Sequence, residues 1–472
     1  MPVTTVDPST AKPLATYEET TPDGVSLILE RARDAAAAWR LTPPGRRAEA
    51  VRRLAAGLRE RRDDLALLAT REMGKPIAES VAEVDKCAWA CEWFAEHGPA
   101  MLEPEAVDTE AVRTRVVYVP LGVVFAIMPW NFPYWQVVRA LAPALAAGNV
   151  IVLKHAPSTT GCALLLAEVA AASGLPEGVL SVLVVAAERT AEVSEQVISD
   201  DRVAAVTLTG STGAGRAVAA LAGRSLKKTV LELGGSDPFI VLADADIDAA
   251  AAWAVRSRFQ NSGQSCIATK RIVVVEEVAD AFTERVLAGV AGLRLGDPTE
   301  PDVTVGPLAR GDLRDALARQ VRDSVARGAR VLTGGRAPDR PGFFYEPTVV
   351  DRVTDEMPVL REEVFGPAVP LLRATGVDDA VRLANQSRYG LGGNVWTSDL
   401  ELGTELAVRL EVGHTAVNGM TASDPRLPFG GVKDSGYGRE LSRHGLLEFV
   451  NVHAVVVNGP GGPGADRHTA AE

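Results

Sequence analysis

Five short apolar runs stand between residues 120 and 234: "VVFAIM", "NVIVLKH", "VLSVLVV", "AAVTLTG" and "TVLELGG". They are rich in Val, Ile and Leu, and helical stretches such as "GCALLLAEVAAAS" and "GAGRAVAALAGR" lie between them. A strand apolar on both sides must be covered on both faces, and crossover helices do this in a parallel sheet. Residues near 120–234 are therefore expected to form a doubly wound α/β nucleotide-binding unit. A second α/β block is expected from "DPFIVL" through "KRIVVVEEV" to about residue 430. The 472 residues give length for two or three domains of about 100–200 residues.

The flanks read differently. The first hundred residues read as helices. In "AVRRLAAGLRERRDDLALLA", Val51, Leu54, Ala55 and Leu58 recur at the helical period, with arginines on the other face. "RTRVVYV", Arg113 to Val119, alternates charged and apolar residues as a strand does. The Gly/Pro-rich end, "NGPGGPGADRHTAAE", has no apolar period, and residues 459–472 are expected to be disordered. A net charge of −12 without a basic tract argues against nucleic acid or anionic membrane as a partner. Pro and Gly break the apolar runs short of the roughly 20 residues of a membrane helix. No basic segment followed by an apolar core opens the chain, so a cytoplasmic protein is expected. None of the four cysteines makes a C-x-x-C pair, and no H-E-x-x-H occurs, so no metal site is expected. Cys87, Cys91 and Cys162 read as small core residues.

Four stretches carry chemistry. "TLTGSTGAGRAVA" places Gly210, Ser211, Gly213 and Gly215 between a strand and a helix, where backbone N–H groups can meet a phosphate. The spacing is not G-x-G-x-x-G, and a plain tight turn explains the glycines about as well. In "IMPWNFPYW", prolines flank Asn131 and stiffen its loop, so its carboxamide is a candidate oxyanion donor; a turn-forming Asn is the simpler account. In "LELGGSDPFIVL", Glu232 lies in an apolar strand, where burial raises its pKa towards that of a general base. Pairing with Lys227 or Lys228 is the alternative. In "NSGQSCIATKR", Cys266 sits in a polar, glycine-containing loop, and its neighbours leave a buried filler, a metal ligand and a nucleophile all open.

Together these stretches resemble the aldehyde dehydrogenase superfamily. "PWNFP", "VLKHAPS", "TGSTGAG", "LELGGSDPFIV", "NSGQSCIA", "EEVFGP" and "PFGGVKDSGYGRE" stand in the family's order, from about residue 5 to 457. The resemblance implies a doubly wound cofactor domain (1–101 and 121–234), an α/β catalytic domain (235–431) and a small β extension for oligomerisation (102–120 and 445–458). It implies Cys266 as nucleophile, Glu232 as general base, and Asn131 with the Cys266 N–H as oxyanion hole. NAD or NADP would lie against Trp130, Lys154, Ser158, Gly210, Ser211, Gly215, Glu363 and Phe365. The product would be a free acid reached through a thioester, and the protein a homodimer or homotetramer.

The same motifs look most like the succinate-semialdehyde dehydrogenase branch. That substrate ends in a carboxylate, for which the resemblance offers Arg139 and Ser423. Arg139 has a salt bridge as its alternative role. Gln260 stands where some members have a second arginine, Arg426 is a candidate replacement, and Trp135 would shape the pocket. Where NAD-preferring relatives carry Glu, this chain has Pro157, so both cofactors are kept. The rivals are oxidation of an aromatic or longer aliphatic aldehyde, a cofactor-free thiol hydrolase needing a histidine base, and a silent relative.

Overall fold

The computed structural model describes residues 2–462. All five apolar runs are strands of one sheet. Its order is Gly436–Tyr437, Lys228–Glu232, Val203–Thr209, Val123–Met128, Val150–His155 and Leu180–Leu183. The last five are parallel, and only the two-residue edge strand is antiparallel. Helices Trp135–Ala147, Thr160–Ala172, Thr190–Ser199 and Thr212–Arg224 make the crossovers. Val124, Phe125, Val152, Val206 and Val230 are wholly buried. Each such side chain stabilises the fold by about 1.5–3 kcal/mol, which is why these strands tolerate no polar alternation.

The strand order carries the functional consequence. The chain enters at Val123–Met128 and steps outward to Val150–His155 and Leu180–Leu183. It then returns to the other side of its first strand for Val203–Thr209 and Lys228–Glu232. The connections leaving Val123–Met128 and Val203–Thr209 diverge, and a crevice opens at the carboxyl ends of this adjacent pair.

A second sheet has the order Arg330–Thr333, Thr348–Asp351, Ala368–Ala374, Thr269–Val275, Asp237–Val241, Gly392–Trp396 and His414–Val417. It is parallel except at its first pair. A third, antiparallel sheet joins Glu105–Val107, Arg113–Pro120 and Val450–Val457, with Val450 opposite Pro120 and Val457 opposite Arg113.

Helices Pro22–Leu41, Pro44–Glu60, Arg62–Met73 and Ile77–Met101 occupy most of the first hundred residues. Val51, Leu54, Ala55 and Leu58 form the buried face of their helix, as the period predicts. The first 17 residues depart from a purely helical reading: Val3–Asp7 and Lys12–Tyr17 form a hairpin. The Asp7 carboxylate accepts from the Ser9 N–H (2.8 Å) and hydroxyl (2.6 Å), and this local turn competes successfully with a helix start. Val3 and Thr5 supply the buried side of the strand. Cys87, Cys91 and Cys162 are wholly buried free thiols.

Of the segment expected to be disordered, residues 463–472 lie outside the described residues. Among the described residues no helix is long and apolar enough to cross a membrane. No group of three or more His, Cys, Asp or Glu side chains among them could hold a metal ion.

Candidate active site

Three of the four chemical stretches follow adjacent strands at one edge of the first sheet. Asn131 lies three residues beyond Val123–Met128, Gly210 directly follows Val203–Thr209, and Glu232 ends Lys228–Glu232. The part of the chain around the second sheet supplies Cys266, between the helix Ile247–Phe259 and the strand Thr269–Val275.

The cysteine loop is fixed by its backbone. Asn261, Ser262 and Gly263 are consecutive left-handed residues, with φ of 53°, 54° and 73°. Two non-glycine residues in this region cost of order 1–3 kcal/mol each, so the surroundings must hold them. The Asn261 N–H donates to the Glu79 carboxylate at 2.6 Å. The Ser262 hydroxyl accepts from the Gly306 N–H (2.9 Å) and donates to the Gly306 carbonyl (3.1 Å). The Gln264 amide bridges the Asn261 carbonyl (3.2 Å) and the Ala309 N–H (2.9 Å). A Cβ on Gly263 would stand 2.3 Å from the Gly366 carbonyl, so the loop also needs glycine there.

Asn131 is brought to this loop. Its Nδ2 donates to the Gln264 carbonyl at 3.1 Å, and its own carbonyl accepts from Asn261 Nδ2 at 2.8 Å. One amide proton of Asn131 is used in this way, which leaves the other for an oxyanion. The loop is held in turn by Glu83, which accepts from the Tyr134 and Trp135 N–H groups (2.8 Å each) and pairs with buried Lys75.

Burial pushes the Cys266 thiol up to about 12, while Arg139 and Lys270 pull it down. Its residue is half-buried rather than sealed, because the thiol lies on a cavity wall. At neutral pH the thiol is protonated until a cation approaches.

Glu232 does not pair with its neighbouring lysines. Lys228 pairs with Glu448 at 3.0 Å, and Lys227 donates to the Asp200 carbonyl. Neither carboxylate oxygen of Glu232 has a hydrogen-bond partner among the described residues. Burial, with Glu440 beside it, raises the pKa well above the ordinary carboxylate value, against the opposing pull of Arg139 and Arg439. In this conformation the carboxyl group faces the compartment of Gly430, Glu440 and Arg139.

The crevice fits a phosphorylated dinucleotide. Ser211 caps the helix Thr212–Arg224, its hydroxyl accepting from the Ala214 N–H at 3.3 Å, and the first N–H groups of the helix remain for a phosphate. Gly215 packs the helix on the sheet: a Cβ there would stand 2.5 Å from the Leu233 side chain. Lys154 is the last residue but one of the strand Val150–His155, and burial lowers its pKa to about 8. The Ser158 hydroxyl oxygen is buried and without a partner among the described residues. An orphaned hydroxyl four residues after a desolvated lysine, with Pro157 between them in place of an acid, suits a ribose hydroxyl or its 2′-phosphate. Trp130 and Phe365 meet edge to face with centroids 5.6 Å apart. Glu363 accepts from the Gly235 N–H (3.1 Å) and from Lys270 Nζ (2.6 Å).

A cavity of about 540 Å³ opens against Cys266 and is walled by Phe132, Trp135, Gln260, Ser423 and Phe429. Among the described residues no histidine lines it, so none of them offers the base a thiol hydrolase needs at the wall. Arg139 borders the cavity but is committed: it pairs with buried Glu440, bonds the Thr209 hydroxyl at 3.3 Å and stacks over Phe429 at 4.5 Å. The ion pair joins its helix to Glu440, which lies outside any helix, and not to a second helix. Arg426 is not brought to the cavity. Asp424, two residues before it, grips its guanidinium at 2.9 and 2.6 Å, leaving it exposed over Trp89.

Several site residues carry no motif signal. Glu79, Glu83 and Lys86 repeat at i, i+4 and i+7 on the helix Ile77–Met101 and all line the cavity. Lys270, within the strand Thr269–Val275, donates to the Gly235 carbonyl (3.0 Å) as well as to Glu363. The i, i+4, i+7 spacing of Glu79, Glu83 and Lys86 was the only trace of that stripe available from the residues alone.

Residues 1–455 match the aldehyde dehydrogenase family. The chain is 46% identical over 458 residues to succinate-semialdehyde dehydrogenase [NADP(+)] 1 of Mycobacterium tuberculosis, covering 96% of this chain and 99% of the relative. It is 47% identical over 450 residues to the succinate semialdehyde dehydrogenase [NAD(P)+] of Escherichia coli, covering 95% and 96%. The crystal structure of succinic semialdehyde dehydrogenase from Streptococcus pyogenes, in complex with NADP+ as the cofactor, superposes with a TM-score of 0.93 at 36% identity, covering 97% and 100%.

A thiol with a pKa near 12 makes a specific prediction. In the cofactor-free protein, iodoacetamide labelling of Cys266 should rise about tenfold per pH unit from neutrality upward, because the thiolate fraction does so below the pKa. Saturating oxidised cofactor should raise the rate at pH 7 by about tenfold or more. Peptide mass spectrometry reads both. A labelling plateau near neutral pH without cofactor would contradict the burial argument.

Proposed function

The chain belongs to the aldehyde dehydrogenase family, oxidising an aldehyde with NAD+ or NADP+, and we propose that it converts succinic semialdehyde to succinate with NADP+ preferred. The observation that carries this reading is the shared cavity wall, which holds a nucleophilic cysteine at one place and cationic and hydroxyl donors at another. The names of the relatives above agree with it. The preference for NADP+ rests on Lys154 and the orphaned Ser158 hydroxyl, with Pro157 rather than an acid in the sequence between them.

In this reading each residue has a role. Cys266 adds to the aldehyde carbon as its thiolate. The free amide proton of Asn131, with the Cys266 N–H, stabilises the oxyanion that forms. Lys154, Ser158, Ser211, Glu363 and Phe365 would hold the cofactor, which supplies a positive charge and the hydride acceptor that turns the adduct into a thioester. Glu232, desolvated and without a hydrogen-bond partner among the described residues, takes a proton from the water that attacks the thioester. Release of the acid returns Cys266 as a thiol.

A cytoplasmic homo-oligomer completes the reading. The four cysteines are free thiols, as a reducing compartment favours. The strand Val450–Val457 exposes Val452 (61%) and Val456 (57%), apolar surface suited to a second copy of the chain.

In a steady-state panel, kcat/KM for succinic semialdehyde should exceed that for benzaldehyde and butanal, with glutaric semialdehyde between, and NADP+ should exceed NAD+. Equal or better turnover of the uncharged aldehydes would overturn the substrate assignment. Val452→Asp with Val456→Asp should convert a dimer or tetramer to monomer in sedimentation. An unchanged mass would remove that strand from the interface.

A further inference from the structure

The far carboxylate of the proposed substrate requires a cation with free donors, and the two expected arginines do not supply one. Arg139 is neutralised by Glu440 and only 2% exposed. Arg426 is held by Asp424 outside the cavity. A third arginine, Arg256, borders the cavity from its exposed rim, lying over Trp253 at 4.9 Å.

Lys86 is different. It reaches the cavity from the helix Ile77–Met101, its Nζ lying over the Trp135 ring at 4.4 Å. It donates to Ser423 Oγ at 2.8 Å, and among the described residues no carboxylate lies in ion-pair contact with it. The nearest acids are already engaged: Glu83 by Lys75 and two backbone N–H groups, and Asp424 by Arg426. An ammonium has three N–H donors, so two remain.

Ser423 completes the arrangement. Its oxygen accepts from Lys86 Nζ and from Trp135 Nε1 (2.9 Å), which occupies both lone pairs. Its own O–H therefore has to donate, and no acceptor among the described residues takes it. A buried hydroxyl obliged to donate, beside an ammonium without a counterion, is a site for an anion with two oxygens.

We propose that Lys86, with Ser423, binds the distal carboxylate of the substrate and sets the selectivity for acidic aldehydes. This rests on the reading that succinic semialdehyde is the substrate, and it assigns Arg139 to positioning Glu440 and Phe429.

The charge of Lys86 depends on pH. Burial lowers its pKa to about 8, helped by Arg139 from the helix Trp135–Ala147. Glu83 and Cys87 on its own helix, and Asp424 on the loop beside Ser423, oppose the shift. The free enzyme thus holds the ammonium below about pH 8 and loses it above. Groups that serve every aldehyde cancel in the ratio of kcat/KM for succinic semialdehyde to that for butanal.

The test measures that ratio against pH for the wild type, Lys86→Met and Lys86→Arg. In the wild type the ratio should fall as pH rises through about 8. Lys86→Met should lower the ratio at pH 7 by roughly ten- to hundredfold, mainly through KM for succinic semialdehyde, and remove its pH dependence. Lys86→Arg should recover part of the ratio and hold it flat with pH, because guanidinium stays charged. A wild-type ratio above one that survives Lys86→Met overturns the assignment of Lys86 and leaves the substrate reading intact. A wild-type ratio of one overturns both. If the variants fail to fold, a wild-type ratio that is flat through pH 8 overturns the proposal by itself.

Discussion

The site depends on one topological reversal in a parallel sheet. Because the chain crosses back over its first strand, Val123–Met128 and Val203–Thr209 lie side by side with their connections leaving in opposite directions. That divergence creates the crevice and puts Asn131, Gly210 and Glu232 at one edge. The register makes this concrete, since Thr209 stands opposite Glu232 and Ile127 opposite Leu208. The crossover helices cover both faces and leave the strand ends as the place where polar side chains can gather. The part of the chain around the second sheet then needs to deliver only one loop, and three left-handed residues deliver it, with Asn261 held by Glu79, Ser262 by Gly306 and the following Gln264 by Ala309.

Charge at the site is buried in paired units, and the pairing decides what each group can do. Removing one partner of a buried pair costs about 3–5 kcal/mol, because the other charge is left uncompensated. Arg139 with Glu440, Lys75 with Glu83 and Lys270 with Glu363 are bound by that cost. A single new contact to a substrate carboxylate, of order 1.5–3 kcal/mol, does not repay breaking such a pair. Glu232, Lys86 and the Ser158 hydroxyl stand outside the pairs, and those are the groups with chemistry or ligands left to serve.

The doubly wound sheet was legible because each strand is apolar on both sides, and burial on both faces leaves no other solution for "VVFAIM" or "AAVTLTG". Asn131, Glu232 and Cys266 could be nominated separately, but for Asn131 a turn role was the simpler account, for Glu232 a lysine pair weighed about evenly, and for Cys266 its neighbours left the role open. Their convergence depends on strand order, which no local pattern encodes. Arg139 shows the opposite limit: its position on the helix was readable, while its commitment to Glu440, 301 residues further on, was not. The hairpin Val3–Tyr17 was missed because a side-chain turn at Asp7 outweighs weak helical propensity. Lys86 was missed because a lysine on a helix is ordinarily solvated, and only the packing of Trp135 and Ser423 against it removes the water.

The central claim is that Cys266 carries the acyl group, and trapping it is the most direct test. Glu232→Gln keeps the shape of the base and removes its proton acceptance, so thioester hydrolysis should slow by roughly 10²–10⁴ while acylation proceeds. Incubated with succinic semialdehyde and NADP+ and then denatured, this variant should show one succinyl group per chain, on the peptide holding Cys266, with one equivalent of NADPH released. Full turnover without an adduct, or an adduct on any other residue, would contradict the account.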